Sequence, residues 1–150
     1  MTMKQDARQD LAAGPVALAV NRCVEICLER RDGYSRAAED VSEAGLGLLL
    51  ADFAEERGHQ AQAFLLITEP LGRRSHSGIR TRRSGPGLRE ARTVLDECIV
   101  GDEASRIELQ VVFVWAPLIA MPMDVRTIML STYCATLRVL SELRRRLAGA

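Results

Sequence analysis

Hydrophobic residues recur along this chain at intervals of three and four, which is the spacing of one face of an α-helix. Prolines lie at the boundaries of the helical segments. Pro15 begins the first helical segment, Pro70 follows the second, and Pro117 and Pro122 bracket a bend before the fourth. No alternation long enough for a β-strand is present. The pattern therefore predicts four helices, at 15–42, 46–68, 88–114 and 123–147.

Four helices of similar length, with a short first turn and a longer second connection, predict an all-α antiparallel four-helix bundle. Folding the first helix onto the second about Glu43 places Arg30 opposite Glu56. Folding the third onto the fourth about Ile119 places Asp102 close to the level of Thr136. The heptad-like stripe of the second helix is Leu46, Leu49, Phe53, Gln60, Ala63 and Ile67, and that of the fourth is Val125, Met129, Thr132, Thr136, Val139 and Leu143.

The segments outside the helices differ in composition. We expect residues 1–14 to form a flexible polar lead and residues 15–150 a single domain. Residues 70–87 are rich in glycine, serine, proline and arginine, which predicts a mobile loop within that domain. Its arginines could contact phosphates, but no aromatic residue is interleaved with them, and a solvated loop is the simpler interpretation.

Composition narrows the environment and the partners. Twenty basic and twenty acidic residues cancel, and aromatic residues make up only 4%, so we expect neither nucleic acid nor a membrane as a partner. No apolar run is long enough to span a bilayer, and the polar lead lacks the apolar core of a secretory signal. The four cysteines contain no C-x-x-C pair, which favours buried free thiols in the cytoplasm.

The most specific chemical signal is Glu56-x-x-His59 in the second helix. In di-iron bundles this spacing puts a carboxylate and an imidazole on one inward face, and a second copy on another helix completes the centre. This chain has no second copy, and its only other histidine is His76 in the arginine-rich connection. Glu56 and His59 are therefore the candidate metal ligands. We expect no metal or other cofactor there, with bound iron or manganese as the alternative.

Arg30 changes the interpretation of this level of the bundle, because a buried cation would repel a metal ion. A buried carboxylate in turn needs a partner. We therefore hypothesise a central polar layer in which Arg30, Glu56 and Asp102 form an ion-pair network in place of a metal centre. The alternative is that the helices rotate enough to solvate one or more of these groups.

Several short stretches, spread in order over most of residues 16–147, carry a family resemblance. On them the chain resembles a family of bacterial ferritin-like proteins that is known only as a domain of unknown function. The resemblance implies a ferritin-like bundle and brings no established activity. The chain departs from the family in the middle of helix four, where Thr132 and Thr136 stand without a carboxylate. The matching stretches are Asp32–Tyr34, Ala37–Val41, Phe53–Arg57, Leu95–Cys98, Gly101–Ala104 and Met121–Arg126.

The apolar segment from Val111 to Met123 has more large side chains than one core can face. We expect it to form a homodimer interface, with a cap over the end of the bundle as the alternative. No nucleophile–base pair or phosphate-binding glycine motif indicates an enzyme. The sequence thus favours a homo-oligomeric interaction or scaffold protein, and the alternative is a metal-binding oxidase or stress protein. The expected interface residues are Val111, Val114, Trp115, Leu118 and Ile119.

Overall fold

A computed structural model describes residues 14–68 and 87–150, and within them the chain is all-helical. A 3₁₀ turn at Leu118–Ala120 precedes the last helix, and the one β-type contact is an isolated bridge between Val41 and Arg89. The described part contains no strand, and its arrangement is consistent with a four-helix bundle. The helices are α1 Pro15–Asp40, α2 Ala44–Thr68, α3 Ala91–Trp115 and α4 Met123–Ala148.

The ends of the helices agree with the positions of the helix-breaking prolines in the sequence. Pro15 occupies the first turn of α1, where its missing N–H costs nothing. Pro122 stands immediately before α4, and Arg145 and Arg146 lie in the last turn of that helix, where cations favour the negative end of the helix dipole. The expectations for a flexible lead at 1–14 and a mobile loop at 70–87 fall almost entirely outside the described residues.

Two hydrophobic clusters form the core, one toward each end of the molecule. The first joins the start of α1 and the ends of α2 and α3 to the start of α4, with Phe64 and Met129 among its largest side chains. The second joins the end of α1 to the starts of α2 and α3 and the end of α4, around Tyr34, Leu50 and Leu143. The helices therefore pack along most of their length.

The inward positions were predicted well for α4 and less well for α2. All six stripe residues predicted for α4 are buried. In α2, Leu46 and Phe53 are buried as expected, but the later inward positions are shifted by one residue. The third helix, predicted to begin at Leu88, begins at Ala91, and Leu88 is exposed. The buried side chains of α2 are Leu46, Leu50, Phe53, Ala54, Arg57, Ala61 and Phe64.

The beginning of α3 is attached to the turn between α1 and α2 by backbone hydrogen bonds. The Arg89 N–H donates to the Asp40 carbonyl at 2.9 Å, and the Ser42 N–H donates to the Arg89 carbonyl at 2.9 Å. Gly87 allows this close approach, because a Cβ there would lie only 2.3 Å from the Asp40 carbonyl group. The attachment fixes where α3 enters the bundle, and so sets the level of the polar residues farther along it.

Candidate functional site

A layer of polar side chains separates the two hydrophobic clusters. Each helix contributes one member, namely Arg30 from α1, Arg57 from α2, Asp102 from α3 and Thr136 from α4. Asp102 and Thr136 are fully buried, and Arg57 is only 2% exposed. These four residues are called the polar layer below. Charged side chains are rarely buried to this degree unless they are paired, so their contacts with one another decide how this site behaves.

Asp102 is the centre of the polar layer, since both arginines approach it. The Arg30 Nε donates to Asp102 Oδ1 at 2.8 Å. The Arg57 Nη2 lies 3.6 Å from Asp102 Oδ2, which is close enough for an ion pair but too long for a hydrogen bond. One carboxylate thus faces two guanidinium groups, and the layer carries one more positive than negative charge.

Arg57 finds its hydrogen bonds outside the ion pair. Its Nη2 donates to Thr136 Oγ1 at 2.8 Å, and its Nη1 donates to Gln60 Oε1 at 3.0 Å. The Thr136 hydroxyl in turn donates to the Thr132 carbonyl at 2.9 Å. A threonine can sit on an inward face in this way, because its hydroxyl bonds to its own helix backbone and still accepts a hydrogen bond from the arginine.

Two glycines and a tyrosine enclose the Arg30 guanidinium. A Cβ on Gly101 would lie 2.1 Å from Arg30 Nη1, and a Cβ on Gly33 would lie 3.1 Å from the same atom. The guanidinium carbon is 4.7 Å from the centre of the Tyr34 ring, within cation–π range. Glycine inside a helix costs about 1 kcal/mol relative to alanine. The position of Arg30 explains why both helices carry one at this level.

Burial and neighbouring charge set the ionisation of the groups around the layer. Burial disfavours the charged form of Arg30, but interactions with the Asp102 carboxylate and with Tyr34 together outweigh it, so the pKa of Arg30 is raised. Burial, with a further contribution from Asp102, also raises the pKa of Tyr34 and keeps its hydroxyl neutral. That hydroxyl faces the carboxylate without a hydrogen bond of regular geometry. Arg30 is therefore charged and Tyr34 neutral near neutral pH.

The three buried cysteines are not activated nucleophiles. Burial raises the pKa of Cys23 to about 12 and that of both Cys27 and Cys98 to about 11, so all three are thiols at neutral pH. Cys134 is exposed, which differs from the expectation that all four would be buried. All four are free, as expected.

The structure brings Arg30 and Asp102 together as the sequence indicated, but it does not add Glu56 to them. Glu56 lies at the edge of α2 and forms an ion pair with Arg138 of α4. Arg57 occupies the inward position instead, because the inward face of α2 has moved on by one residue, which is a rotation of about 100°. The expected network thus needs a correction, with two arginines and one carboxylate in place of one arginine and two carboxylates.

The predicted metal ligands do not form a site together. His59 is exposed, with 75% of its side chain accessible, and its ring nitrogen is 3.9 Å from the Glu55 carboxylate. Across residues 14–68 and 87–150, no three histidine, cysteine or acidic side chains are grouped so that they could hold a metal ion. At the polar layer, the donor set is one carboxylate flanked by two guanidinium groups, which does not suit a divalent cation.

A second unusual feature lies on the outside of α3. Val100, Ile107, Val111 and Val114 are all more than half exposed, and Ala104 is exposed between them. Their spacing of four, three, four and three residues puts them on one face, opposite the buried face of the same helix. We call these five residues the outer stripe.

The predicted interface segment is divided between the core and the surface. Val111 and Val114 belong to the outer stripe, and Ile119 is 86% exposed just beyond it. Trp115 is 42% exposed, whereas Leu118 packs against the first hydrophobic cluster. The segment thus caps the end of the molecule with some side chains and presents the others to solvent. Those buried in the cap are Val112, Ala116 and Met121.

Comparisons with known proteins add no relative. No family model, curated protein or solved structure matches this chain. The resemblance to ferritin-like proteins therefore stays an expectation from the sequence. Among the described residues, none of the helices has the combination of length and apolarity that crossing a membrane requires.

Proposed function

We propose that this protein is a homodimeric interaction protein built on an antiparallel, ferritin-like four-helix bundle, in which ion pairs replace a metal centre. The order of its contacts supports the antiparallel arrangement. Along α1, Arg22 pairs with Glu108 and the later Arg30 pairs with the earlier Asp102 of α3. The free thiols favour a reducing compartment such as the cytoplasm.

The outer stripe is the observation that carries the proposal. The alternating spacing of four and three residues from Val100 to Val114 is the spacing of a coiled-coil seam. The opposite face of α3 is already buried against the core, so the stripe cannot turn inward. Ile119 and Met123, both largely exposed, extend the apolar surface beyond the end of the helix. An apolar surface of this length indicates a binding face.

The charges beside the stripe favour a second copy of the same chain as the partner. The acids flanking it would repel their counterparts in a self-associated pair if they were unpaired. Glu97 pairs with Arg89, Glu103 with Arg106 and Arg144, and Glu108 with Arg22, all within one chain. With these three acids paired within the chain, the stripe can pair with its own copy about a two-fold axis, which is the commonest closed assembly.

Sedimentation velocity tests the proposal. We expect the wild-type protein to be a dimer at tens of micromolar. Ile107→Glu puts a charge in the middle of the stripe, and we expect it to weaken the dimer by about a hundredfold or more. The control is Leu48→Glu on α2, which also replaces an exposed large apolar side chain by glutamate, but outside the outer stripe. Helix content measured by circular dichroism verifies that both variants fold.

Two outcomes would contradict the proposal. One is a wild-type protein that sediments as a monomer at tens of micromolar. The other is an Ile107→Glu variant that dimerises as well as Leu48→Glu does. In either case the outer stripe would not be the contact between two copies of this chain.

A further inference from the structure

A cleft of about 340 Å³ opens between the end of α1 and the start of α3. Three arginines line it, namely Arg30, Arg36 and Arg89, together with Gly33 and two carboxylates. Its volume is at the lower end of the range for small-molecule sites, roughly 300–1,000 Å³. We call it the arginine cleft. None of its lining residues belongs to the outer stripe, although the Arg89–Glu97 pair that flanks the stripe also lines the cleft.

Arg30 joins the arginine cleft to the polar layer. Its Nε is bound to Asp102, and its Nη2 donates to the Cys98 carbonyl over a long 3.4 Å. Its Nη1 lies between Gly33 and Gly101, where a Cβ would come within 3.1 Å and 2.1 Å of it, respectively. Gly33 lines the cleft and adjoins this atom, so no side chain at that position separates Nη1 from the cleft.

Two further arginines, Arg36 and Arg89, stand at the rim of the cleft beside Asp40 and Glu97. Arg89 forms a two-point ion pair with Glu97, in which one contact measures 2.7 Å, and this pair holds the guanidinium in place. Arg36 is exposed on the α1 side. Across the cleft and the polar layer together, four arginines face three carboxylates, so this region has an excess of one positive charge. The arginines are Arg30, Arg36, Arg57 and Arg89, and the carboxylates are Asp40, Glu97 and Asp102.

We infer that the arginine cleft binds a small oxyanion, which is the carboxylate or phosphate group of a free small molecule. The planar guanidinium fork matches both groups and is the usual choice for recognising them. Arg30 supplies the floor contact, and Arg36 and Arg89 supply the rim. Asp40 and Glu97 beside them would repel a polyanion such as a nucleic acid, while they could accept hydrogen bonds from hydroxyl or amino groups of a small ligand.

The test is a nuclear magnetic resonance titration of the full chain. Inorganic phosphate and succinate are added in separate experiments, and sodium chloride is added at equal ionic strength as the reference. We expect saturable shifts of the backbone amides of Gly33 and Gly101 with phosphate, with succinate or with both, at millimolar concentrations. Identical shifts with chloride would overturn the inference, because they would reflect screening alone. Shifts that do not saturate would also overturn it.

Variants at the rim locate the binding without touching the polar layer. We expect Arg36→Gln and Arg89→Gln each to weaken anion binding, raising the dissociation constant by about tenfold. Arg92→Gln is the matched control, since it removes the same charge from the start of α3 outside the cleft, and we expect it to leave the constant unchanged. An equal loss of binding in all three variants would show a general charge effect and overturn the assignment of the site.

Discussion

The polar layer and the outer stripe both reverse the usual distribution of residues, with charges inside and apolar groups outside. They differ in how they are satisfied. Asp102 meets Arg30 and Arg57 within its own chain, and Arg57 meets Thr136. The four larger residues of the outer stripe are more than half exposed to solvent in the described part of the chain. A buried charge without a partner destabilises the folded chain, so its partner must belong to the same chain. An exposed apolar face does not prevent folding, so a second chain can cover it afterwards.

The polar layer is more a device for specificity than a source of stability. Replacing a buried ion pair by well-packed apolar residues is often neutral or stabilising, whereas removing one partner is strongly destabilising. A layer that joins all four helices at one level penalises any shift of one helix along another. We therefore interpret it as fixing the alignment of the four helices, which also keeps the outer stripe straight along α3.

The largest effect is expected from removing the centre of the polar layer. Asp102→Ala leaves Arg30 and Arg57 buried without their carboxylate, so we expect the free energy of unfolding to fall by about 3–5 kcal/mol. Urea denaturation followed by circular dichroism measures it. The control is Glu56→Ala, which breaks the more exposed pair with Arg138 and should cost less than about 1 kcal/mol. Similar losses of unfolding free energy in both variants would mean that the buried ion pairs of the polar layer contribute no more than an exposed pair.

A smaller effect of unusual sign is expected at Gly101. Alanine normally stabilises a helix by about 1 kcal/mol relative to glycine. At Gly101 its Cβ would collide with the Arg30 guanidinium, so we expect Gly101→Ala to lower the free energy of unfolding by about 1–3 kcal/mol. Gly58→Ala is the matched control, because its nearest neighbour is the Arg31 Cδ at 3.4 Å, and it should be neutral or stabilising.

Repeating Gly101→Ala in an Arg30→Ala variant shows whether Arg30 causes the loss. In that background the guanidinium is gone, so Gly101→Ala should regain the usual gain of about 1 kcal/mol. The contrary outcome is that Gly101→Ala proves equally destabilising with and without Arg30. The alanine side chain would then collide with some other group, and contact with Arg30 would not explain why residue 101 is a glycine.

The smallest effect concerns the ion pairs that flank the outer stripe. The hydrogen bond from Arg106, with a further one from Arg144, lowers the pKa of Glu103 below its ordinary value near 4.5. Its contribution to stability is therefore present above that value and is lost as the pH falls through the lowered pKa. We expect Glu103→Gln to be slightly less stable than the wild type at neutral pH and equal to it in acid. Because the group is exposed, added salt should shrink the difference, and a difference that persists in acid would contradict this origin.

Much of the fold could be predicted from the sequence. The breakers set the helix ends to within a few residues, and the α4 stripe was right at every position because Thr132 and Thr136 lie in phase with the apolar residues around them. The phase of α2 was harder. From Leu46 the predicted stripe advances by three and then four residues, whereas the buried residues advance by four and then three. Leu50 and Arg57 therefore face inward, in place of Leu49 and Glu56.

The candidate site was only half predictable. Arg30 and Asp102 could be paired from helix length and folding alone, since each lies on an inward stripe at the same level. Arg57 was not predicted, because the Glu56-x-x-His59 spacing favours its neighbour as the inward residue and a buried arginine is rare. Gly33 and Gly101 did give a signal. Glycine inside a helix is unfavourable, and its presence at one level in two helices indicates that something large lies between them.

The central claim is that the polar layer is paired within one chain, whereas the outer stripe binds a second copy. Thermal unfolding at several protein concentrations tests this claim most directly. A dimer gains stability by mass action, and a monomer does not. We expect the wild-type midpoint to rise steadily with concentration. We expect Ile107→Glu to have a constant midpoint, and Asp102→Ala to have a lower midpoint that still rises. A wild-type midpoint that stays constant over a hundredfold range in the micromolar region would contradict the claim.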